Sequence, residues 1–211
     1  MTYVKICGIT SVTDAVMVAA AGADALGLNF VPSSKRVIDV ATAAHIADAV
    51  GGRLELVAVV ADRSAGELEE LRETTGIRWL QLHGHESPED LQLLLPQAYK
   101  AVAIATAADA ARAQDYGGTR LLVDAKSKIP GQLGGTGERF DWSLAMPLAA
   151  RRDVIVAGGL DPNNVGEAVR ALLPFGVDVA SGVEQPGNPR QKDQTRVQAF
   201  IAAVRAAERA P

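Results

Sequence analysis

Short apolar runs alternate with longer segments of helical periodicity along the whole chain. The apolar runs predict eight β-strands, at Tyr3–Cys7, Ala25–Phe30, Leu54–Val60, Ile77–Leu82, Ala98–Ile104, Arg120–Asp124, Val154–Ala157 and Val177–Ala180. Helical spacing of apolar residues is clearest in the first, seventh and last of the segments that follow the strands: Val12, Ala15, Val16 and Ala19; Val165, Ala168, Val169 and Leu172; and Val197, Phe200, Ile201 and Val204. Strict alternation of strand and helix predicts a parallel sheet covered by helices.

The number of strand–helix units distinguishes two α/β architectures. Eight units favour a closed (β/α)8 TIM barrel, with residues 1–211 as one domain, over an open doubly wound sheet. The open sheet is disfavoured further because no strand is followed by the dinucleotide-binding pattern G-x-G-x-x-G with a suitably placed acidic residue. The glycine run Gly134–Gly137 lacks that pattern and lies in the longest irregular stretch, Ala125–Arg139. A loop of that length is usually functional in a compact barrel.

Helix start and stop signals support the same segmentation. Ser64 and Glu67 have the spacing of a capping box. Ser87 and Asp161 each precede a proline that is expected at the first helical position. Three glycines are expected to end helices: Gly22, Gly76 and Gly176.

Composition limits the partners and the compartment. The chain has 211 residues, 48% of them hydrophobic, and a formal net charge of −4, so charge does not favour nucleic acid or an anionic membrane surface as a partner. One cysteine excludes an internal disulfide and fits a reducing compartment. A strand begins directly after Met1 and no apolar run is long enough to span a bilayer, so we expect a cytoplasmic location.

The last two predicted strands end in small residues. Gly158-Gly159 follows the seventh strand and Ser181-Gly182 follows the eighth, each expected just before a helix. Small residues leave backbone N–H groups accessible, and a helix N-terminus adds partial positive charge. Because barrels of this type often bind phosphate at the ends of these two strands, the pattern predicts a phosphate site and a sugar-phosphate substrate.

Strand alternation also selects candidate catalytic residues. The more polar face of each strand should line the lumen, which places Cys7, His83 and Asp124 at the C-terminal ends of their strands, where active sites of this fold lie. A free cysteine is more often a small core residue. Asp124 could instead cap a turn or pair with Lys126 or Lys128.

Three further residues have both a functional and a structural interpretation. Arg36 is an ordinary solvated loop residue or a clamp for a carboxylate. His83 is a structural histidine or a ligand of the substrate. Asp178 faces the lumen and could pair with Lys5 there.

Motifs along essentially the whole chain resemble those of the phosphoribosylanthranilate isomerase family. They are Lys5–Gly8, Ser34–Val37, Gln81–Gly84, Leu121–Asp124, Gly134–Gly137, Ala157–Leu160 and Asp178–Glu184. The resemblance implies an enzyme of tryptophan biosynthesis that converts N-(5-phosphoribosyl)anthranilate into 1-(2-carboxyphenylamino)-1-deoxyribulose 5-phosphate. This Amadori rearrangement uses neither a metal nor an organic cofactor in that family.

Residue roles follow from the resemblance position by position. Cys7 resembles the family's general base, Asp124 its general acid, and Arg36 the residue that binds the anthranilate carboxylate. Other matching positions are His83 and Asp178 for substrate binding, and Gly158, Gly159, Ser181 and Gly182 for phosphate binding. The sequence departs from the family pattern at Lys35, where proline is common, at Ala180, which replaces a frequent serine, and at Asn188–Gln191, which looks like an insertion.

Alternative functions remain open at this point. A metal-dependent sugar-phosphate epimerase needs histidines at several strand ends, but His45 and His85 are expected in a helix and a loop. Indole-glycerol-phosphate synthase needs lysine and glutamate at strand ends. An isomerase that also accepts the histidine-pathway aminoaldose usually has an aspartate where Cys7 stands. A catalytically silent barrel that binds a phosphorylated ligand is the alternative from another class, and either a monomer or a homodimer is compatible with the sequence.

Overall fold

The computed structural model describes residues 1–125 and 141–209. Gly134–Gly137, and Lys126 and Lys128 as alternative partners of Asp124, lie outside these residues. Eight parallel strands form a closed barrel in which β8 pairs with β1. The strands are β1 (Tyr3–Cys7), β2 (Ala25–Asn29), β3 (Glu55–Val60), β4 (Trp79–Leu82), β5 (Ala98–Ile104), β6 (Arg120–Ala125), β7 (Asp153–Val156) and β8 (Gly176–Val179). The predicted barrel is confirmed.

Helices cover the outside of this barrel. They are α1 (Val12–Ala20), α2 (Val40–Val50), α3 (Ala65–Thr75), α4 (Pro88–Gln92), α5 (Ala107–Arg112), α6 (Met146–Ala149), α7 (Val165–Leu172) and α8 (Gln194–Arg209). Between β8 and α8 the chain forms a short antiparallel hairpin of β9 (Glu184–Gln185) and β10 (Asn188–Lys192). In the described part of the chain, no helix has the length and apolarity needed to cross a membrane.

The helix boundaries confirm most of the cap signals. Ser64 and Glu67 form a reciprocal capping box at the start of α3, and Gly76 ends that helix in a left-handed conformation with φ of 69°. Ser87 caps α4, and Pro88 is its first residue.

Two expected boundaries are wrong. α7 begins at Val165 and not at Pro162. Asp161 still acts as a cap, since its carboxylate accepts hydrogen bonds from the N–H groups of Asn163 and Asn164, but it caps the turn that precedes the helix. Gly176 lies inside β8 and does not end a helix. A Cβ at Gly176 would stand 2.8 Å from the carbonyl oxygen of Tyr3, so close approach of β8 to β1 explains this glycine.

The buried faces of α7 and α8 are those predicted, whereas the predicted face of α1 is only partly buried: Ala15 is buried, but Val12 and Val16 are exposed. In α7 and α8 all eight predicted apolar positions are buried. In α1, Val12 and Val16 remain 39% and 38% exposed, while Asp14 and Val18 are buried. Oδ2 of Asp14 accepts a hydrogen bond from the backbone N–H of Lys192 at 2.9 Å, and this polar contact turns a different face of α1 inward.

Side chains also fill the half of the lumen that lies at the N-terminal ends of the strands. The Arg120 guanidinium lies 3.9 Å from the centre of the Trp79 ring and donates to the Glu55 carboxylate at 2.7 Å. Tyr3 and Phe175 stack beside it with ring centres 5.4 Å apart. Because this end of the lumen is occupied, the space for a ligand lies at the opposite end, where the strands reach their C-termini.

Candidate active site

A cavity of about 920 Å³ opens at the C-terminal ends of the strands. Its wall includes eight of the nine predicted site residues: Cys7, Arg36, His83, Asp124, Asp178, Gly158, Gly159 and Ser181. The ninth, Gly182, packs against the β7–α7 loop instead, because a Cβ there would lie 2.0 Å from the Leu160 carbonyl oxygen. The structure thus brings residues from distant parts of the chain around one space.

Cys7 ends β1 with its side chain in the lumen and is only 8% exposed. Burial raises the pKa of the Cys7 thiol above its ordinary value, and the ammonium groups of Lys5 and Lys192 act in the opposite direction. The Lys5 side chain approaches the thiol closely. A Cβ built on Gly27 would lie 2.6 Å from Cys7 Sγ and 3.0 Å from Lys5 Nζ, so glycine at this position leaves room for both groups.

Lys5 and Asp178 form a buried ion pair beneath the cavity. The fully buried Lys5 ammonium donates to Asp178 Oδ1 at 2.7 Å and to Gln81 Oε1 at 3.0 Å. The register of the barrel makes this pair, since Lys5 of β1 lies opposite Asp178 of β8. Burial opposes the charge on Lys5, yet the neighbouring carboxylate raises the pKa of its ammonium. Asp178 is therefore an ion-pair partner that also lines the cavity.

His83 is held as a neutral imidazole. Burial, assisted by the nearby Lys100 and Lys5 ammonium groups, lowers the pKa of His83 to about 4. Gln81 Oε1 accepts hydrogen bonds from Lys5 and from the Tyr99 hydroxyl, so the Gln81 amide N–H is directed at His83 Nδ1, 2.9 Å away. Nδ1 is then the acceptor and Nε2 carries the proton. This tautomer can donate a hydrogen bond to a ligand.

Asp124 lies near the end of β6 with one carboxylate oxygen bonded to the Ala125 N–H at 2.7 Å. Burial raises the pKa of Asp124 to about 7, against the effect of that hydrogen bond. Gly158 packs against the carboxylate, since a Cβ there would stand 2.9 Å from Asp124 Oδ1. Near neutral pH this aspartate is therefore protonated in a large fraction of molecules.

The two small-residue segments differ in detail from the expected strand–helix junctions. Gly158 and Gly159 have φ values of 86° and 61°, and a turn separates them from α7. The Asn164 amide supports this turn by donating to the Gly159 carbonyl at 2.8 Å. After β8, residues Ser181–Val183 form a 3-10 turn only. The expectation of an α-helix N-terminus directly after each segment is wrong, and backbone amides of the turns are the groups available to an anion.

Arg36 is an ordered residue of the cavity wall. Its Nε and Nη2 donate to the two carboxylate oxygens of Glu184, the second at 3.1 Å. Lys192 Nζ lies 3.2 Å from the same carboxylate. Gly8 allows this arrangement, because a Cβ there would overlap the Arg36 side chain at 2.2 Å from Cδ. Among the residues that the structure describes, two cations meet one carboxylate at this corner of the cavity, which gives the group a net positive charge.

Comparison with known proteins identifies the family. Residues 4–203 match the family model of N-(5'phosphoribosyl)anthranilate (PRA) isomerase. A protein of Geobacter sp. (strain M21) with that name is 40% identical over 205 residues, which is 97% of this chain and 98% of the relative. The chain belongs to the PRA isomerase family. The family and enzyme class predicted from the sequence are thereby confirmed.

Solved structures of PRA isomerases share the architecture. The enzyme of Thermotoga maritima superposes with a TM-score of 0.88 at 34% identity, covering 98% of this chain and all of that one. A PRA isomerase in complex with reduced 1-(o-carboxyphenylamino)-1-deoxyribulose 5-phosphate superposes with a TM-score of 0.85 at 32% identity, again over 98% of this chain and 100% of that chain.

Some polar residues of the candidate site were not predicted as site residues. Gln81 fixes the tautomer of His83, and Glu184 with Lys192 holds Arg36. Strand alternation does place Gln81 in the lumen beside His83, which is a usable signal. Glu184 and Lys192 lie in a polar stretch without periodicity, so only the folded hairpin shows that Glu184 lines the cavity and that the buried Lys192 lies against it.

Proposed function

We propose that this member of the family isomerises N-(5'-phosphoribosyl)anthranilate to 1-(2-carboxyphenylamino)-1-deoxyribulose 5-phosphate, a step of tryptophan biosynthesis, by general acid–base catalysis. Asp124 is the acid and Cys7 is the base. The observation that carries the proposal is that a thiol on β1 and a carboxyl on β6 with a pKa of about 7 line one cavity.

Two anionic groups of the substrate would fix its position. The positive corner at Arg36 suits the anthranilate carboxylate, since guanidinium groups bind carboxylates in a fork geometry. The glycine turn at Gly158 and Gly159, with the turn at Ser181, suits the phosphate. With both ends of the substrate held, the ribose lies between them, beside Cys7 and Asp124.

In the proposed reaction, Asp124 and Cys7 each make one proton transfer. Protonated Asp124 gives its proton to the furanose ring oxygen while the bond from that oxygen to C1′ breaks, which leaves a Schiff base. The Cys7 thiolate removes the proton from C2′, and the resulting enolamine tautomerises to the ketone. His83 Nε2–H would donate to a ribose hydroxyl or to an oxygen of the opened chain.

The test is a turnover assay that follows anthranilate fluorescence with freshly generated substrate. Cys7→Ala and Asp124→Asn should each lower kcat by at least ~10²-fold, the usual contribution of an acid or base. Asp48→Asn, which changes an exposed aspartate of α2, should leave kcat unchanged. Because the chain has one cysteine, iodoacetamide should inactivate the wild type through Cys7 alone. Near-normal turnover of either site variant would remove that residue from the mechanism.

A further inference from the structure

A side chain of the hairpin β9–β10 contacts the main chain of the loop that carries Arg36. Arg190 of β10 donates through Nη1 to the carbonyl oxygens of Lys35 and Val37, at 3.2 and 3.0 Å. These two residues flank Arg36 in the chain. The Thr10 hydroxyl, from the β1–α1 loop, donates to the Arg190 carbonyl. The segment that looks like an insertion in the sequence therefore ties two loops of the cavity rim together.

The same hairpin holds the Arg36 side chain. Glu184 of β9 accepts from Nε and Nη2 of Arg36, and Lys192 at the end of β10 lies against the Glu184 carboxylate and the Ala180 carbonyl. Lys192 is 3% exposed, and Asp14 of α1 fixes its backbone. Burial opposes the charge on Glu184, but the two cations hold the pKa of its carboxyl below the ordinary value.

The geometry leaves one edge of the guanidinium free. A guanidinium has five N–H donors, and Glu184 occupies the edge formed by Nε and Nη2. Among the described residues, none accepts a hydrogen bond from Arg36 Nη1. The edge formed by Nη1 and Nη2 can therefore bind a second carboxylate in the same fork geometry.

We propose that the β9–β10 hairpin is a positioning device, in which Glu184 and Arg190 orient Arg36 so that its Nη1–Nη2 edge meets the carboxylate of the substrate. This inference rests on the proposed function and adds the residues that set its specificity for a carboxylated aromatic amine. A free arginine side chain has many rotamers, and ordering them costs entropy. Fixing it before the substrate arrives lowers the cost of binding.

The variant Glu184→Gln separates positioning from charge. Removing the negative charge makes the corner more positive, so an effect of charge alone would lower KM for the anionic substrate. Loss of the fork to Arg36 releases the guanidinium and should instead raise KM about 10-fold, with kcat changed less than about 2-fold. Arg190→Ala should raise KM in the same direction, by about 3-fold, because the backbone around Arg36 loses its ties.

Two controls exclude a general loss of structure. Arg53→Ala removes a guanidinium that also donates to two backbone carbonyls, those of Ala49 and Val50, but lies far from the cavity, and it should leave KM unchanged. Competitive inhibition is compared for two probes, the reduced product and its phenyl counterpart without the carboxyl group. Glu184→Gln should weaken inhibition by the reduced product about 10-fold and inhibition by the phenyl counterpart less than about 2-fold.

A double variant tests whether the effect runs through Arg36. In the background of Arg36→Ala, the further change Glu184→Gln should have almost no effect on inhibition by the reduced product. An equal loss for both probes, an additive effect in the double variant, or a fall in KM would each overturn the proposal. If Glu184→Gln does not fold, the same comparison of inhibition by the two probes is made with Arg190→Ala, and its result decides whether the proposal stands. Failure of the proposed function is distinct, since the wild type would then show no turnover at all.

Discussion

The candidate acid and base have pKa values in an unusual order, and this predicts the pH dependence. The active form needs Asp124 protonated and Cys7 ionised. Burial raises the pKa of Asp124 only to about 7, and burial also raises the pKa of the Cys7 thiol above its ordinary value. Between these two values most molecules carry a protonated thiol and an ionised carboxyl, with the proton on the wrong group.

The size of the penalty follows from the gap between the two pKa values. Even an ordinary thiol, with a pKa of about 8.5, would stand about 1.5 pH units above Asp124, and burial of Cys7 raises the pKa of its thiol further. At most about 3% of the free enzyme then has the active arrangement, which corresponds to a cost of about 2 kcal/mol. We expect kcat/KM to rise up to about pH 7, to stay level above it, and to fall only beyond the pKa of Cys7.

The assay pairs the pH profile of kcat/KM, which reports groups of the free enzyme, with the rate of alkylation of Cys7 by iodoacetamide. Alkylation requires the thiolate and involves no substrate, so its rate should keep increasing across the level region of the activity profile. A midpoint of alkylation near pH 7 would refute the assignment. The thiol would then be the group with the lower pKa.

Three further predictions follow from the same contacts. Asp124→Asn should raise the free energy of unfolding at pH 8 by up to about 4 kcal/mol in chemical denaturation, because each unit by which folding raises the carboxyl pKa costs about 1.4 kcal/mol above that pKa. The gain should vanish as pH falls toward 4. A variant that is less stable than the wild type at pH 8 would contradict this prediction. Gly158→Ala should raise KM at least about 10-fold, because the φ of 86° and the 2.7 Å distance from a Cβ built there to the Ala125 nitrogen leave no room for a side chain. Gly52→Ala, with φ of 72° and open space around it, should change stability alone. Equal KM values for the two variants would contradict the prediction. Arg36→Ala should chiefly raise KM, and a large fall in kcat at unchanged KM would show that its contact strengthens in the transition state.

The barrel itself could be predicted because its determinants are local. Each strand is a short apolar run, helices α1 to α5 each begin at a side-chain cap, and strand alternation fixes which side chains enter the lumen. Where a local signal is ambiguous, the prediction fails. The apolar pattern of α1 allows two buried faces, and the choice depends on a contact between Asp14 and Lys192, 178 residues apart in the chain.

The candidate site likewise has a part that local sequence signals predict and a part that they do not. Cys7, His83 and Asp124 follow from strand parity, because each lies at or directly beyond the end of a barrel strand. The contacts that hold Arg36 do not follow from strand parity, because they come from a hairpin of polar residues. The stretch Glu184–Lys192 shows neither alternation nor a long apolar run, and Pro189 disfavours a central strand. Its two short strands form as an isolated pair at the rim, where contacts with other loops and with Asp14 of α1 determine their position.

The buried ion pair of Lys5 and Asp178 has a consequence for the two catalytic candidates. A neutral pair adds no net charge to the lumen, but its two ends act unequally. The Lys5 ammonium has the larger effect on Cys7 and lowers the pKa of the thiol, whereas the Asp178 carboxylate has the larger effect on Asp124 and raises the pKa of its carboxyl. Both effects narrow the gap between the two pKa values and enlarge the active fraction. Replacing the pair with apolar residues of similar volume is often neutral or stabilising in proteins, but here it would widen that gap and slow the reaction.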